Sequence, residues 1–163
     1  MKRKLIIISA VLFSAVFLLN CGIPFDVTTT QQTLEVPNTG GTYFETVIPI
    51  PAEAKDPGIT YDSVTVFYTV RKTDPFAANV DLYASSDQTA DNAKDPSDEL
   101  LIGATLTTSE TETSGSTASA EILEALNNQQ DNFVMGADNS SVGQISSVFV
   151  DITVNIKGTY SPF

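Results

Sequence analysis

Carboxylates are the most frequent side chains in this sequence that could do chemistry. Five of them fall within thirteen residues, a density that could offer oxygen ligands to Ca²⁺: Asp87, Asp91, Asp95, Asp98 and Glu99. Helical calcium loops place ligands at about every second residue around a central glycine. Asp87, Asp91 and Asp95 are instead four residues apart, with no glycine between them. The spacing therefore predicts a solvated run of charge and no bound metal, with a calcium site as the weaker alternative.

The only cysteine, Cys21, directly follows a segment typical of a secretory leader. Residues 2–4 are all basic, and residues 5–19 are apolar apart from two serines. This apolar stretch of 15 residues matches the core of a signal peptide and is shorter than the roughly 20 residues that span a bilayer. We therefore predict export from the cytoplasm, with residues 1–20 as the signal peptide.

The junction Leu18-Leu19-Asn20-Cys21 resembles the lipobox of a bacterial lipoprotein precursor. In that family the cysteine thiol is diacylglycerylated, the leader is cut just before it, and the new amino group is acylated. Leu18 fits the −3 position and Cys21 the +1 position, whereas Asn20 departs from the usual small residue at −1. The resemblance implies that residues 21–163 are held in the bacterial cell envelope by a lipid in the membrane. The glycine after the cysteine favours the outer membrane, because enteric lipoproteins retained in the inner membrane carry aspartate there. The alternative is an uncleaved N-terminal anchor with a buried thiol.

The residue types that are missing exclude every site built on imidazole or on paired thiols. Without histidine and with one cysteine, the chain cannot form a Ser-His-Asp triad, a Cys-His dyad, a zinc finger or an internal disulfide. The net charge of −12, from 8 Lys and Arg against 20 Asp and Glu, argues against nucleic acid as a partner. A glycosidase needs only two carboxylates, but it also needs a deep cleft, for which this chain is short. We therefore predict a non-enzymatic protein without a cofactor.

Aromatic side chains are the remaining candidates for a binding surface. The chain lacks tryptophan, which weakens a carbohydrate-binding prediction because sugar platforms rely on flat aromatic faces. Phe67 and Tyr83 are the surface contact candidates. Phe67 alternates with Val64, Val66 and Val70, so it points outward if the valines point into the core. It is then either a contact residue in an exposed apolar patch or a ring covered by a loop or helix.

The elements that carry these residues follow from periodicity. Residues 62–70 and 148–157 alternate apolar and polar side chains, which indicates half-buried antiparallel strands. Weaker strand candidates are residues 25–36, 42–50, 79–86, 99–108 and 132–137. Turn signals rich in proline, glycine and aspartate separate several of these runs.

One segment departs from this pattern. Residues 118–130 contain no glycine or proline and place three aliphatic side chains on one helical face, with Ser119 as the N-cap. The sequence thus predicts one helix of about three turns near 118–130. Residues 85–99 and 107–119 are predicted to remain unpacked, because they contain too few apolar side chains to offset the entropy cost of ordering.

About seven strands and one short helix predict an all-β fold. The expected architecture is a two-sheet antiparallel β-sandwich, with immunoglobulin-like or jelly-roll connections. Residues 21–163 form one domain, long enough to bury about two thirds of its unfolded surface. The expected function is that of a lipid-anchored extracytoplasmic binding or structural module without catalysis, whose partner is an envelope protein or a glycan. The alternative is a carbohydrate-binding or carbohydrate-processing envelope protein, either dependent on Ca²⁺ or independent of it.

Overall fold

The computed structural model describes residues 22–37, 43–141 and 146–161, which contain nine strands and one α-helix. The predicted leader and Cys21 lie outside these described residues. No helix within them is long and apolar enough to cross a bilayer. The elements are β1 (Ile23–Thr28), β2 (Gln32–Pro37), β3 (Tyr43–Pro49), a 3₁₀ turn (Ala52–Ala54), β4 (Ile59–Lys72), β5 (Ala78–Ser85), β6 (Glu99–Leu106), β7 (Glu112–Ala118), α1 (Ala120–Asn127), β8 (Asn132–Asn139) and β9 (Ser147–Tyr160).

The strands form two antiparallel sheets. In sheet A the order is β1-β9-β4-β7, and β2 continues the line of β1 along the same side of β9. In sheet B the order is β3-β8-β5-β6. With β1 and β2 counted as one position, each sheet has four positions, and the chain passes repeatedly from one sheet to the other. The predicted β-sandwich is confirmed, and this strand order is that of a jelly roll and differs from an immunoglobulin domain.

The core lies between the inner faces of the two sheets. The predicted facing of β9 is confirmed, because five aliphatic side chains on one face are 0% exposed: Val148, Val150, Ile152, Val154 and Ile156. On β4, Val64, Val66 and Val70 point the same way. The opposing side chains of sheet B include Ile48, Val80, Leu82, Leu106, Phe133 and Met135.

Helix α1 lies between β7 and β8 and turns two aliphatic side chains, Ile122 and Leu126, into the core. The Ser119 hydroxyl accepts a hydrogen bond from the Ile122 N–H at 3.2 Å, as expected of an N-cap. The helix is shorter than the predicted segment 118–130. The chain leaves the helix at Asn128 and passes through Gln129, which has a positive φ of 53°.

Two predictions about the strands are wrong. Residues 25–36 form two strands, because Thr29 interrupts the ladder and bonds Val154 through its hydroxyl as well as its N–H. Residues 107–119, predicted to be unpacked, contain β7. This strand has no buried residue and is held by backbone pairing to β4, a contribution that composition does not reveal.

The facing of β9 can be tested with two neighbouring substitutions in a chain that begins at Gly22. Ile152→Asp places a carboxylate in the core and should lower the free energy of unfolding by roughly 3–5 kcal/mol. Thr153→Asp, on the outer side of the same strand, should change it by no more than about 0.5 kcal/mol. Urea unfolding followed by circular dichroism measures both, and equal losses would contradict the assignment of the faces.

Candidate functional site

The outer faces of the two sheets differ. Residues 86–98, called the acidic loop below, fold across the outer face of sheet B and contact side chains of β3 and β5. Val134 on β8 is 0% exposed, although it alternates with the core residues Phe133 and Met135. Within the described parts of the chain, no element packs across the outer face of sheet A, called the open face below. Among the described residues, the open face is therefore the more exposed of the two outer faces.

The acidic loop is attached to β3 by a pair of reciprocal contacts. The Glu45 carboxylate accepts hydrogen bonds from the backbone N–H groups of Asp91 and Asn92 at 2.8 and 3.0 Å. The Asn92 side-chain oxygen in turn accepts the Glu45 N–H at 3.0 Å. Asn92 has a positive φ of 58°, a conformation that asparagine adopts more easily than most residues. These contacts order a segment that has almost no apolar side chains, so the prediction that residues 85–99 remain unpacked is wrong.

Two tyrosines lie beneath the acidic loop. The rings of Tyr43 and Tyr83 meet edge to face with centroids 5.7 Å apart. The Tyr43 hydroxyl donates to Asp98 at 3.0 Å, and burial together with this carboxylate raises the pKa of Tyr43 far above its usual value. The Lys94 ammonium lies 4.1 Å from the ring centroid of Tyr83 and also donates to its hydroxyl. Tyr83 is 4% exposed, so the prediction of a surface contact at this residue is wrong.

Two carboxylates of the acidic loop, those of Asp91 and Asp98, stabilise turns of the loop itself. Asp91 accepts the Ala93 N–H at 2.8 Å, and Asp98 accepts the Asp95 N–H at 2.9 Å as well as the Tyr43 hydroxyl. Asp87 uses its backbone N–H to bond the Ser85 hydroxyl at 3.2 Å. Across residues 22–37, 43–141 and 146–161, no three acidic or cysteine side chains are arranged to hold a metal ion. The structure thus does not bring together the ligands of the weaker calcium alternative.

Glu99, the last residue of that predicted cluster, lies at the N-terminus of α1. One of its carboxylate oxygens, Oε2, accepts the Ser119 hydroxyl at 2.7 Å, the Ala120 N–H at 2.9 Å and the Glu121 N–H at 3.2 Å. A carboxylate at this position satisfies unpaired helix N–H groups and interacts favourably with the helix dipole. Glu99 therefore has a structural role, which sequence reasoning missed because twenty residues separate it from the helix.

Phe67 is in the middle of the open face and is 47% exposed. Its direct neighbours on the adjacent strands are Ser116 of β7 and Thr153 of β9. Thr65 and Thr69 lie on either side of it along β4 and point the same way, two residues apart in each direction. The ring is thus surrounded by small hydroxyl side chains. Phe67 thus has the exposure that a contact residue requires, and the alternative prediction, a ring covered by a loop or helix, is wrong.

An ion pair borders this surface and was not predicted from the sequence. The Arg71 guanidinium bonds Asp151 at 2.8 Å and lies 4.7 Å from the ring centroid of Phe149. The Thr33 hydroxyl of β2 also donates to Asp151. Arg71, through its hydrogen bond, holds the pKa of Asp151 below its ordinary value. The only sequence signal was that Asp151 alternates with the core residues of β9, which places it on the outer side.

Comparisons with known proteins add two distant structural likenesses. No family model matches the chain, and no curated protein matches it. A chain of infectious bursal disease virus, Gx strain, is similar over 84% of this chain and 33% of its own length, with 13% identity and a TM-score of 0.44. A chain from naturally occurring empty particles of cowpea mosaic virus is similar over 82% of both chains, with 10% identity and a TM-score of 0.35. This chain spans about a third of the length of the first of them.

The ion pair on the open face makes stability depend on pH. Because the folded pKa of Asp151 is below its ordinary value of 3.8, the pair stabilises the fold at neutral pH, and this contribution is lost as the pH falls through the lowered pKa. Asp151→Asn should therefore reduce the free energy of unfolding by about 1 kcal/mol at neutral pH and by much less near pH 2. Urea unfolding at both pH values measures the difference. Asp87→Asn, an exposed acid in the acidic loop, is the control, and an undiminished Asp151→Asn effect in acid would contradict the ion-pair explanation.

Proposed function

We propose that this chain is a lipid-anchored, extracytoplasmic, non-catalytic binding module that uses its open face to hold a partner in the bacterial cell envelope. The observation that carries the proposal is the exposed ring of Phe67 on an uncovered sheet, encircled by hydroxyl groups. An aromatic ring offers a large contact area with little side-chain entropy to lose. Serine and threonine hydroxyls can both donate and accept hydrogen bonds. Such a surface suits a flat partner with mixed apolar and polar groups.

The position of the predicted anchor agrees with this use of the surface. Strand β1 begins at Ile23, two residues after Cys21, so a lipid on Cys21 would hold the domain close to the membrane. Ile23 and Ile59 both pair with Tyr160, which places these three residues at one end of sheet A. The strands of sheet A would then run away from the membrane. The open face would be reached from the side, without interference from the lipid surface.

The charge of the chain limits the kinds of partner. The full sequence has a net charge of −12, and removal of the leader with its three basic residues would leave 5 Lys and Arg against 20 Asp and Glu, a net charge of −15. This charge repels anionic lipid headgroups and nucleic acid, and it favours a neutral or basic partner. We therefore expect an envelope partner whose contact surface, where it meets the hydroxyl groups around Phe67, has no cluster of acidic groups.

The described basic side chains support a non-catalytic role, because each has a structural partner. Three of them form ion pairs: Lys55 with Asp131, Arg71 with Asp151 and Lys157 with Asp26. Lys94 covers the ring of Tyr83, as described above. Lys72 is 5% exposed, and its ammonium donates to the backbone carbonyls of Phe76 and Thr107. Because the sequence has no histidine, a serine nucleophile would need a lysine as its base. Each described lysine is instead engaged in one of the contacts above.

A glycan is the second candidate partner, and one observation favours it. Sugar rings stack their C–H faces on aromatic side chains while their hydroxyls bond polar neighbours, and Phe67 is surrounded by Thr65, Thr69, Ser116 and Thr153. This candidate uses the same surface as a protein partner, so one set of variants tests both.

Anchoring is tested by metabolic labelling. In cells grown with labelled palmitate, the wild-type chain should take up label and Cys21→Ala should not, because the variant lacks the acylated thiol. Immunoblotting of the same samples controls for the amount of each protein. Equal labelling of the two chains would contradict the lipoprotein assignment.

The open face is tested by removing the Phe67 ring. Phe67→Ala should reduce capture of the envelope partner by the chain at least about tenfold, as expected for an aromatic residue at the centre of an interface. Leu100→Ala is the matched control, because Leu100 is 56% exposed and lies on β6 in the other sheet. Capture from solubilised envelopes tests a protein partner, and a glycan array tests a sugar. Full binding by Phe67→Ala in both assays would contradict the assignment of the open face.

A further inference from the structure

A sheet edge exposes unpaired backbone groups, and natural proteins usually protect such edges with proline, charge, bulges or covering loops. Three of the four edges here have such protection. The β1/β2 edge contains Pro24 and Pro37, and β3 ends in Pro49. The Glu45 N–H of β3 is also bonded by Asn92 from the acidic loop. Strand β6 is irregular, with a register shift against β5.

Strand β7 forms the fourth edge and has none of these features. It contains no proline and no lysine, and its only charged residue is Glu112 at one end. It pairs with β4 without a register shift from Thr65 and Ala118 to Arg71 and Glu112. Among the described residues, no strand pairs with its other side. This edge is therefore regular, nearly uncharged and open to another strand.

The inner side of β7 is closed by Tyr68 of the neighbouring strand. A Cβ atom on Gly115 would lie 2.4 Å from the Tyr68 hydroxyl oxygen, so the tyrosine occupies the space that a side chain would need. The outer side of the strand carries Ser114 and Ser116, which are both exposed. No bulky side chain of β7 would prevent a second strand from approaching its edge.

The sequence of β7 indicates which strand fits. Residues 113–117 read Thr-Ser-Gly-Ser-Thr, the same in both directions. Antiparallel pairing of two copies about an axis through Gly115 would place threonine opposite threonine and serine opposite serine. Such cross-strand hydroxyl pairs are favourable. Glu112 would face Ala118 of the other copy, so no like charges would be directly opposite.

We propose that β7 is a self-association edge, at which two copies of this chain pair antiparallel and join their A sheets into one. The axis would be perpendicular to the sheet, as in other two-fold strand pairs, and the contact would use the same surface on both copies. The two open faces, each with its Phe67, would then lie on the same side of the joined sheet. A strand of seven residues forms a short contact, so the dimer is expected to be weak and to depend on concentration.

Charge distinguishes a second copy from a basic foreign strand. Two copies repel one another, because each is strongly acidic both with its leader (net charge −12) and without it (−15), and salt screens this repulsion. Self-association should therefore strengthen between about 0.05 and 0.5 M NaCl. Binding of a basic strand would weaken over the same range.

The proposal is tested with two differently tagged copies of the full-length chain, produced together and captured through one tag from detergent at high protein concentration, at which a weak dimer is populated. Wild-type copies should be captured together. S114D/S116D places aspartates opposite one another in the dimer and should reduce joint capture at least about tenfold, and S114K/S116K should do the same with lysines. A mixture of the aspartate and lysine variants should restore joint capture, because each aspartate then faces a lysine.

The mixture also shows that both variants fold, since misfolded chains would not recover a specific contact. T60D/S63D is the matched control, with two aspartates on the same sheet face but on the part of β4 that does not pair with β7, and it should be captured like the wild type. Failure of wild-type copies to be captured together, undiminished capture of S114D/S116D, no recovery in the mixture, or weakening by salt would each overturn the proposal.

Discussion

The fold depends on the burial of alternate side chains along the central pair of strands in sheet A. Strand β9 pairs with β4 on one side and with β1 and β2 on the other, so it fixes the position of three other strands of this sheet. Its inward valines and isoleucines are completely buried, and a shift of one residue would expose all of them. This penalty sets the register of the sheet, and the register determines which side chains reach the outer surface. The position of Phe67 among hydroxyl groups is a consequence of it.

The two outer faces show how the same framework can be closed on one side and open on the other. The acidic loop covers sheet B through polar contacts, chiefly those of Glu45, Lys94 and Asp98, and buries Tyr43 and Tyr83 beneath it. Of the carboxylates that suggested a metal site in the sequence, Asp91 and Asp98 stabilise turns and Glu99 caps α1. Within the described residues the open face has no such cover, and this contrast is the reason that a binding role is proposed for sheet A. Its far edge, β7, is the part of the same sheet where another chain can be added.

Helix and strand predictions succeeded where a local period decides the structure. The inward positions of β4 and β9 and the cap at Ser119 are local properties, because alternation and capping involve residues close together in the chain. The prediction for β7 failed because a strand of serine, threonine and glycine gains little from burial, and its pairing partner β4 lies about 45 residues earlier. Tyr83 was misassigned for a similar reason, since the lysine that covers it comes from a loop and its ring partner comes from β3.

By itself, the sequence determined the fold class, the inward faces of the strongest strands, the start of the helix and the absence of histidine-based chemistry. Each of these follows from composition or from a short-range period in the sequence. Only the tertiary structure decided the jelly-roll order, the roles of Glu45 and Glu99, the burial of Tyr83 and the exposure of Phe67. These depend on which distant segments meet, and that is set by the joint packing of two sheets, for which a single sequence gives no local signal.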